Sequence, residues 1–508
     1  MKPPRQNVTE IDQKKWRQDD PFHASHEEVV AHVPHLHNPT VGRQFRLRVQ
    51  FLGEGDTFWQ RLISAEHFNG YPIVLTYCLI LFFFGLFLDT PGNLLRGSIR
   101  ILLSPSQLIT DYVLVGGLGA ALLNSGVVTL LTVLLLFVRK VFLSGPVMAA
   151  ILTVSGFSLF GKNFYNTLPI MLGTILYMVI KRVPIAHIVV ISLCSTALGP
   201  TVSVISFGLG LPLQWGIPLG CLAGILIGLI MPPLATSFLR FHMGFNLFNV
   251  GFTAGIVGML AMGILRMFNM RVNTVKLLSY DQQWQIIFLM VILLLFLLGC
   301  SFAYSDKPWE NYNDVLTKSG QLVTDFTLNR GHAVTLFNMA AMGLICLVYA
   351  IMIQGDLNGP VLGAWLSVVG FAAFGVHPLN AVPVMLGVML AAMANHSPYN
   401  DTNAMLATLF GTTLSPIAGH YGPFAGILAG FCHMGMVLNI GVVHGGVNLY
   451  NNGFSGGFIA AILVPILEEY RRKGKKRVHW LKVWRLNRYQ TQYAKKHKKN
   501  RSMDQHND

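Results

Sequence analysis

The residues best suited to chemistry in this chain come in pairs set far apart. Asp111 ends a Gln-Leu-Ile-Thr-Asp run, and Asp325 ends Gln-Leu-Val-Thr-Asp 214 positions later. Each carries a threonine beside it, Thr110 and Thr324, at the edge of an apolar stretch. A carboxylate near a membrane interior can take up H+ or Na+ and release it on rearrangement, so these four residues are candidate ion-coupling groups. In a purely structural role the same carboxylates would cap helices. The second pair is longer. His242–Gly255 reads HMGFNLFNVGFTAG and His444–Gly457 reads HGGVNLYNNGFSGG, identical at eight of fourteen positions. Asn246 returns as Asn448, Asn249 as Asn451 and Gly251 as Gly453. Asparagine supplies donors and acceptors together, a spacing of three puts each pair on one face of a helix, and glycine lets helices close up or the backbone unwind. These six positions are the candidate binding residues for a small polar solute; Asn-mediated helix packing is the structural alternative.

The elements that must position them are read from composition. The chain of 508 residues is 53% hydrophobic and only 12% charged, about half the charge of a soluble domain. About fourteen apolar segments recur between 70 and 467, many near the 20 residues that span a bilayer core. This predicts an all-α polytopic membrane protein. The first 66 residues contain no short apolar core, so the segment at 70–88 is expected to act as an uncleaved anchor. Six cysteines without paired spacing read as packing residues.

The same 214-residue offset matches Gly145–Gly173 to Gly359–Gly387, with 15 of 29 positions identical. Near the GxNLxNxGF motif it falls to 202, leaving an extra loop around 208–216 in the first copy. Two repeats of about seven spanning or re-entrant segments follow. Pro169 and Pro383, with Pro146 and Pro360, are expected to break or start helices. An odd segment count inverts the second copy. Arg139, Lys140, Lys181, Arg182 and Arg240 then fall on the side of the N-terminal arm, and their counterparts in the second copy lack Lys and Arg. Arg96, Arg100, Arg266, Arg271 and Lys276 run against the rule. The expected partition is a polar arm at 1–69, the first repeat with its linker at 70–283, the second repeat at 284–470 and a basic tail at 471–508.

That tail holds 14 Lys and Arg against two Asp, most of the net charge of +15. It argues for cytoplasmic termini and for contact with anionic lipid; nucleic acid is not an expected partner. Five histidines crowd the arm, at 23, 26, 32, 35 and 37, without a strict ligand spacing. No HExxH, Walker or GxSxG motif occurs, so no resident cofactor or metal is expected and the only ion implied is a coupling H+ or Na+.

The paired QLxTD, GPV…FG…N..PxMLG and GxNLxNxGF motifs resemble a family of bacterial multi-pass membrane proteins known as a duplicated domain of unknown function. The resemblance spans roughly 70–467 and implies a bacterial cell membrane, with no activity attached. The layout is similar to that of uracil permeases, anion exchangers and urea channels, none of whose motifs is present. The leading expectation is a secondary transporter or channel for a small polar solute, not an enzyme. A membrane enzyme using second-repeat His and Asp residues, and a scaffold with a lipid-binding tail, are the alternatives.

Overall fold

The computed structural model describes residues 70–471, apart from 107, 108, 271, 273, 274 and 323. The N-terminal arm with its cluster of five histidines at 23–37 and the basic tail beyond Arg471 lie outside the described residues. In lipid every backbone polar group must be satisfied within its own segment, which leaves long apolar runs no choice but helix. The first repeat supplies α1 (Tyr71–Leu88), α2 (Pro91–Leu103), α3 (Tyr112–Gly116), α4 (Leu118–Val138), α5 (Gly145–Phe157), α6 (Phe164–Lys181), α7 (Ile185–Gly208), α8 (Leu213–Phe238) and α9 (Asn249–Met267). The second supplies α10 (Gln283–Tyr304), α11 (Tyr312–Leu316), α12 (Phe326–Arg330), α13 (His332–Met352), α14 (Gly359–Phe371), α15 (Pro378–Ala394), α16 (Thr402–Gly411, continued by Ser415–Tyr421), α17 (Pro423–His444) and α18 (Asn451–Arg471). Ten of these helices are long and apolar enough to cross a membrane. Seven apolar helices per repeat match the segments read from the sequence, and the chain is an integral membrane protein.

α2 is different in kind. Leu94, Gly97 and Ile101 are buried on one side while Arg96 and Arg100 share the helix, the pattern of a helix lying along an interface.

The two repeats meet at α5 and α14, where 12 of 13 and all 13 residues are buried. Gly156 lies against the Gly363 backbone, and Gly370 against Ala149 at 3.0 Å from an ideal Cβ. The offset of 214 exchanges these two contacts, as a twofold axis would. Position 149 faces 370 and 156 faces 363, so the helices run antiparallel. An axis along the membrane normal would leave them parallel; the second repeat is therefore inverted.

The four prolines divide into two kinds. Pro146 and Pro360 begin α5 and α14 within the first two helical positions, where the missing N–H costs nothing. Pro169 and Pro383 lie inside continuous helices α6 and α15 and break neither. Near the helix start the loss is confined to one bond, and each ring packs on a glycine, Gly224 and Gly426, at 2.7 and 3.1 Å from an ideal Cβ. The interruptions fall instead at the turns after α5 and α14, and at the short tight turns Thr196–Leu198 and Thr412–Leu414.

Candidate functional site

The GxNLxNxGF motifs are half helix and half not. α9 starts only at Asn249 and α18 only at Asn451. Asn246 and Asn448 therefore lie ahead of the helices, and the Asn pairs do not share a helical face. The physical reason is local. Gly244 and Gly446 take left-handed φ of 77° and 79°, and the Asn246 and Asn448 side chains accept from the N–H two residues on, at 3.2 and 3.1 Å. That is an Asx turn, and it holds each lead-in extended.

Each lead-in crosses to the other repeat. Leu247 N donates to Thr413 O at 3.0 Å, and Leu449 N donates to Ala197 O at 3.2 Å. The Leu247 side chain sits over Gly375, and Leu449 over Gly161. The helix starts then face each other. Phe248 stacks on Tyr450, Phe252 on Phe454, and Gly251 meets Gly453 within 3.3 Å of an ideal Cβ. Each residue pairs with its own repeat counterpart, so the axis passes here. Gly251 and Gly453 serve this close approach.

The motif amides are largely engaged by the protein itself. Asn246 donates to Gly453 O at 2.9 Å and accepts from the Thr413 hydroxyl. Asn249 bonds His242 and Ala235 O, both at 3.0 Å. The Asn451 amide oxygen accepts from His444 Nδ1 at 2.7 Å and from the Asn448 amide at 3.4 Å.

Asp111 and Asp325 do not join this centre. Asp111 caps α3 and accepts from Val113, Ser279 and Gly359 N at 2.9, 3.0 and 3.4 Å. Asp325 caps α12 and accepts from Leu328 and Gly145 N at 3.0 and 3.2 Å. Each thus sits at the start of the other repeat's buried helix, α14 or α5. The two carboxylates stand about 20 Å apart, the length of 13 helical residues. Asp111 lies between the spans, and burial lifts its carboxyl to about 6 against the pull of its N–H donors. Thr110 pairs with Leu277, and the Thr324 hydroxyl donates to Gln321 O at 2.7 Å.

The turns after α5 and α14 share one scaffold. Asn124 donates to Ser158 O and Lys162 O at 2.7 and 2.9 Å; Asn338 donates to Ala372 O and Val376 O at 2.7 and 2.8 Å. Asn166 and Asn380 tie Gly161 O and Gly375 O, both at 2.9 Å. On this common frame the side chains differ. Lys162 is fully buried, bonds Tyr450 Oη at 3.4 Å and lies over the Phe157 and Tyr450 rings at 5.5 and 5.3 Å. Its counterpart is Val376. His433, also fully buried, pairs with Asn452 at 3.0 Å; their counterparts are Met231 and Val250.

A cavity of about 330 Å³ opens beside this set at the Asp111 end. Its walls include Phe160, Asn403, Leu449, Asn451 and Asn452, and the exposed Lys276 stands at its mouth. Of the candidate binding and ion-coupling residues read from the sequence, it draws in Asn451 alone. Lys162 and Asn452 had not been singled out, and His433 only as one of the second-repeat histidines of the enzyme alternative. The available signal was Lys162 itself, the one charge in the matched stretch 145–173. The second-repeat histidines are dispersed, and no cluster that could hold a metal occurs among the described residues.

Comparison with curated proteins and with solved structures gives no match. A family model matches twice, over residues 90–267 and 304–469, one match in each repeat. The chain belongs to that family, described as a protein of unknown function (DUF1576).

Proposed function

We propose that the protein moves a small polar solute across the membrane through the space between its inverted repeats. The observation that carries this reading is the cavity, which runs from Lys276 to Asn451 and Asn452 at the start of α18, beside the pseudo-twofold axis. Inverted-repeat transporters bind substrate where half-helix starts meet near the midplane, and work by rocking one repeat against the other. A volume of 330 Å³ suits a small molecule. In this reading Asp111 and Asp325 fasten each repeat to the other's buried helix, and any coupling H+ or Na+ acts through them as hinges. The positive-inside rule, applied to Lys140, Lys181 and the tail, places the Asp325 end in the cytoplasm of a bacterial cell and the cavity mouth outside. The test is uptake into proteoliposomes holding the purified full-length chain, with and without an ion gradient. Uptake above protein-free vesicles is expected; its absence over a broad solute panel would contradict the reading.

A further inference from the structure

Among the described residues Lys162 is the one buried ammonium, and its partners there are a hydroxyl and two aromatic rings, with no anion. It has three donors and, among the described residues, one acceptor, the Tyr450 hydroxyl at 3.4 Å. The titratable groups facing it are the Cys194 thiol from α7 and the Tyr450 phenol from the second motif. Among the described residues no carboxylate pairs with it. Asp111 is held by three N–H groups. Asp356 is taken up by Thr402 and Asp401 by Ala404 and Asn403. A buried charge without a counter-charge costs several kcal/mol, and an ionisable group at membrane depth marks a pathway more often than a packing site.

The missing counter-charge has a place to come from. Lys162 does not itself line the cavity, but Phe160, two residues before it, and Leu449, next to its partner Tyr450, both do. Among the described residues the walls are largely apolar, their polar side chains are amides and the Lys276 ammonium, and no carboxylate lines them. α18, 21 residues long, starts at this wall, so its dipole adds a partial positive charge. We infer that the transported solute is an organic anion with an apolar body, and that the Lys162 ammonium is its counter-charge in the bound state. This rests on the transport reading above. An inorganic anion would leave the apolar wall unused, and a cation would meet two ammonium groups. The twofold-related place offers neither partner, since Val376 and Phe248 replace Lys162 and Tyr450.

The test is uptake of three radiolabelled probes into proteoliposomes of the full-length chain: benzenesulfonate, its cationic isostere trimethylanilinium, and uncharged erythritol. Benzenesulfonate is expected at least tenfold above protein-free vesicles, with the other two at background. Lys162→Gln and the bulk-preserving Lys162→Met should both lose the uptake, and Lys162→Arg should keep part of it, with all three eluting as the wild type on size exclusion. Uptake of erythritol or trimethylanilinium in place of benzenesulfonate would overturn the anion and leave transport standing. Benzenesulfonate uptake unchanged in folded Lys162→Met would overturn the role of Lys162. Background uptake of all three probes would overturn the inference, while the transport reading falls only if the broad solute panel also stays at background.

Discussion

The two halves of the centre share a skeleton and differ in chemistry. The skeleton is common to both: an Asx-turned lead-in, a leucine seated on the opposite turn, an asparagine stapling that turn, an aspartate at the opposite helix start. The side chains set on it are not. Lys162, Tyr450, Asn452 and His433 gather on the half with the cavity, where the related half has Val376, Phe248, Val250 and Met231. What is repeated in this chain builds the frame, and what is not repeated distinguishes one path through it. A duplicated polar residue is constrained twice by the same geometry; a single one is free to serve a solute that touches one half.

The comparison can be broken first at the frame. Asp111→Ala and Asp325→Ala each strand buried N–H donors, and each should cost about 3 kcal/mol or more in detergent unfolding. Near-equal losses are expected; a loss confined to one of them would contradict a shared frame. The side chains should then respond with opposite signs. Val376→Lys places an ammonium where Phe248 offers no acceptor, and should destabilise by about 2–4 kcal/mol. Lys162→Met removes an unpaired charge and should stabilise by about 1–3 kcal/mol while transport is lost. Destabilisation by Lys162→Met would show that the ammonium is compensated within the protein. The smallest effect is at the lead-ins. Thr413 serves Asn246 and the Phe248 N–H, whereas its counterpart is Ala197. Thr413→Ala should therefore cost only about 1 kcal/mol, read in the same unfolding assay.

Much of the frame was legible because lipid leaves few options. Leu118–Val138 was readable residue for residue, since an apolar run with no interruption closes only as a helix. Inversion was legible in the charges of the loops, although Arg96 and Arg100 spoke against it. They lie on α2, an interfacial helix whose apolar residues are too sparse to register as a span. The motif was legible as a duplicated polar feature but not as a turn. Asn246 and Asn249 fit a helical spacing, and only Gly244 with its left-handed φ, together with a docking partner 165 residues away at Thr413, makes the lead-in extended. Pro169 reads as a break until Gly224 is seen beneath it. Lys162 was hidden for another reason. A lone lysine between apolar runs looks like a loop at the water interface, and its burial depends on Tyr450, 288 residues later.

The central claim is that access is one-sided: the polar half of the centre opens to solvent through the cavity, and its apolar twin does not. The direct test is the rate at which a small membrane-impermeant thiosulfonate modifies Asn452→Cys and Val250→Cys, twofold-related positions, in the purified protein against the wild-type background. Asn452→Cys lines the cavity and should react at least tenfold faster than Val250→Cys. Equal rates at the two positions would contradict the account.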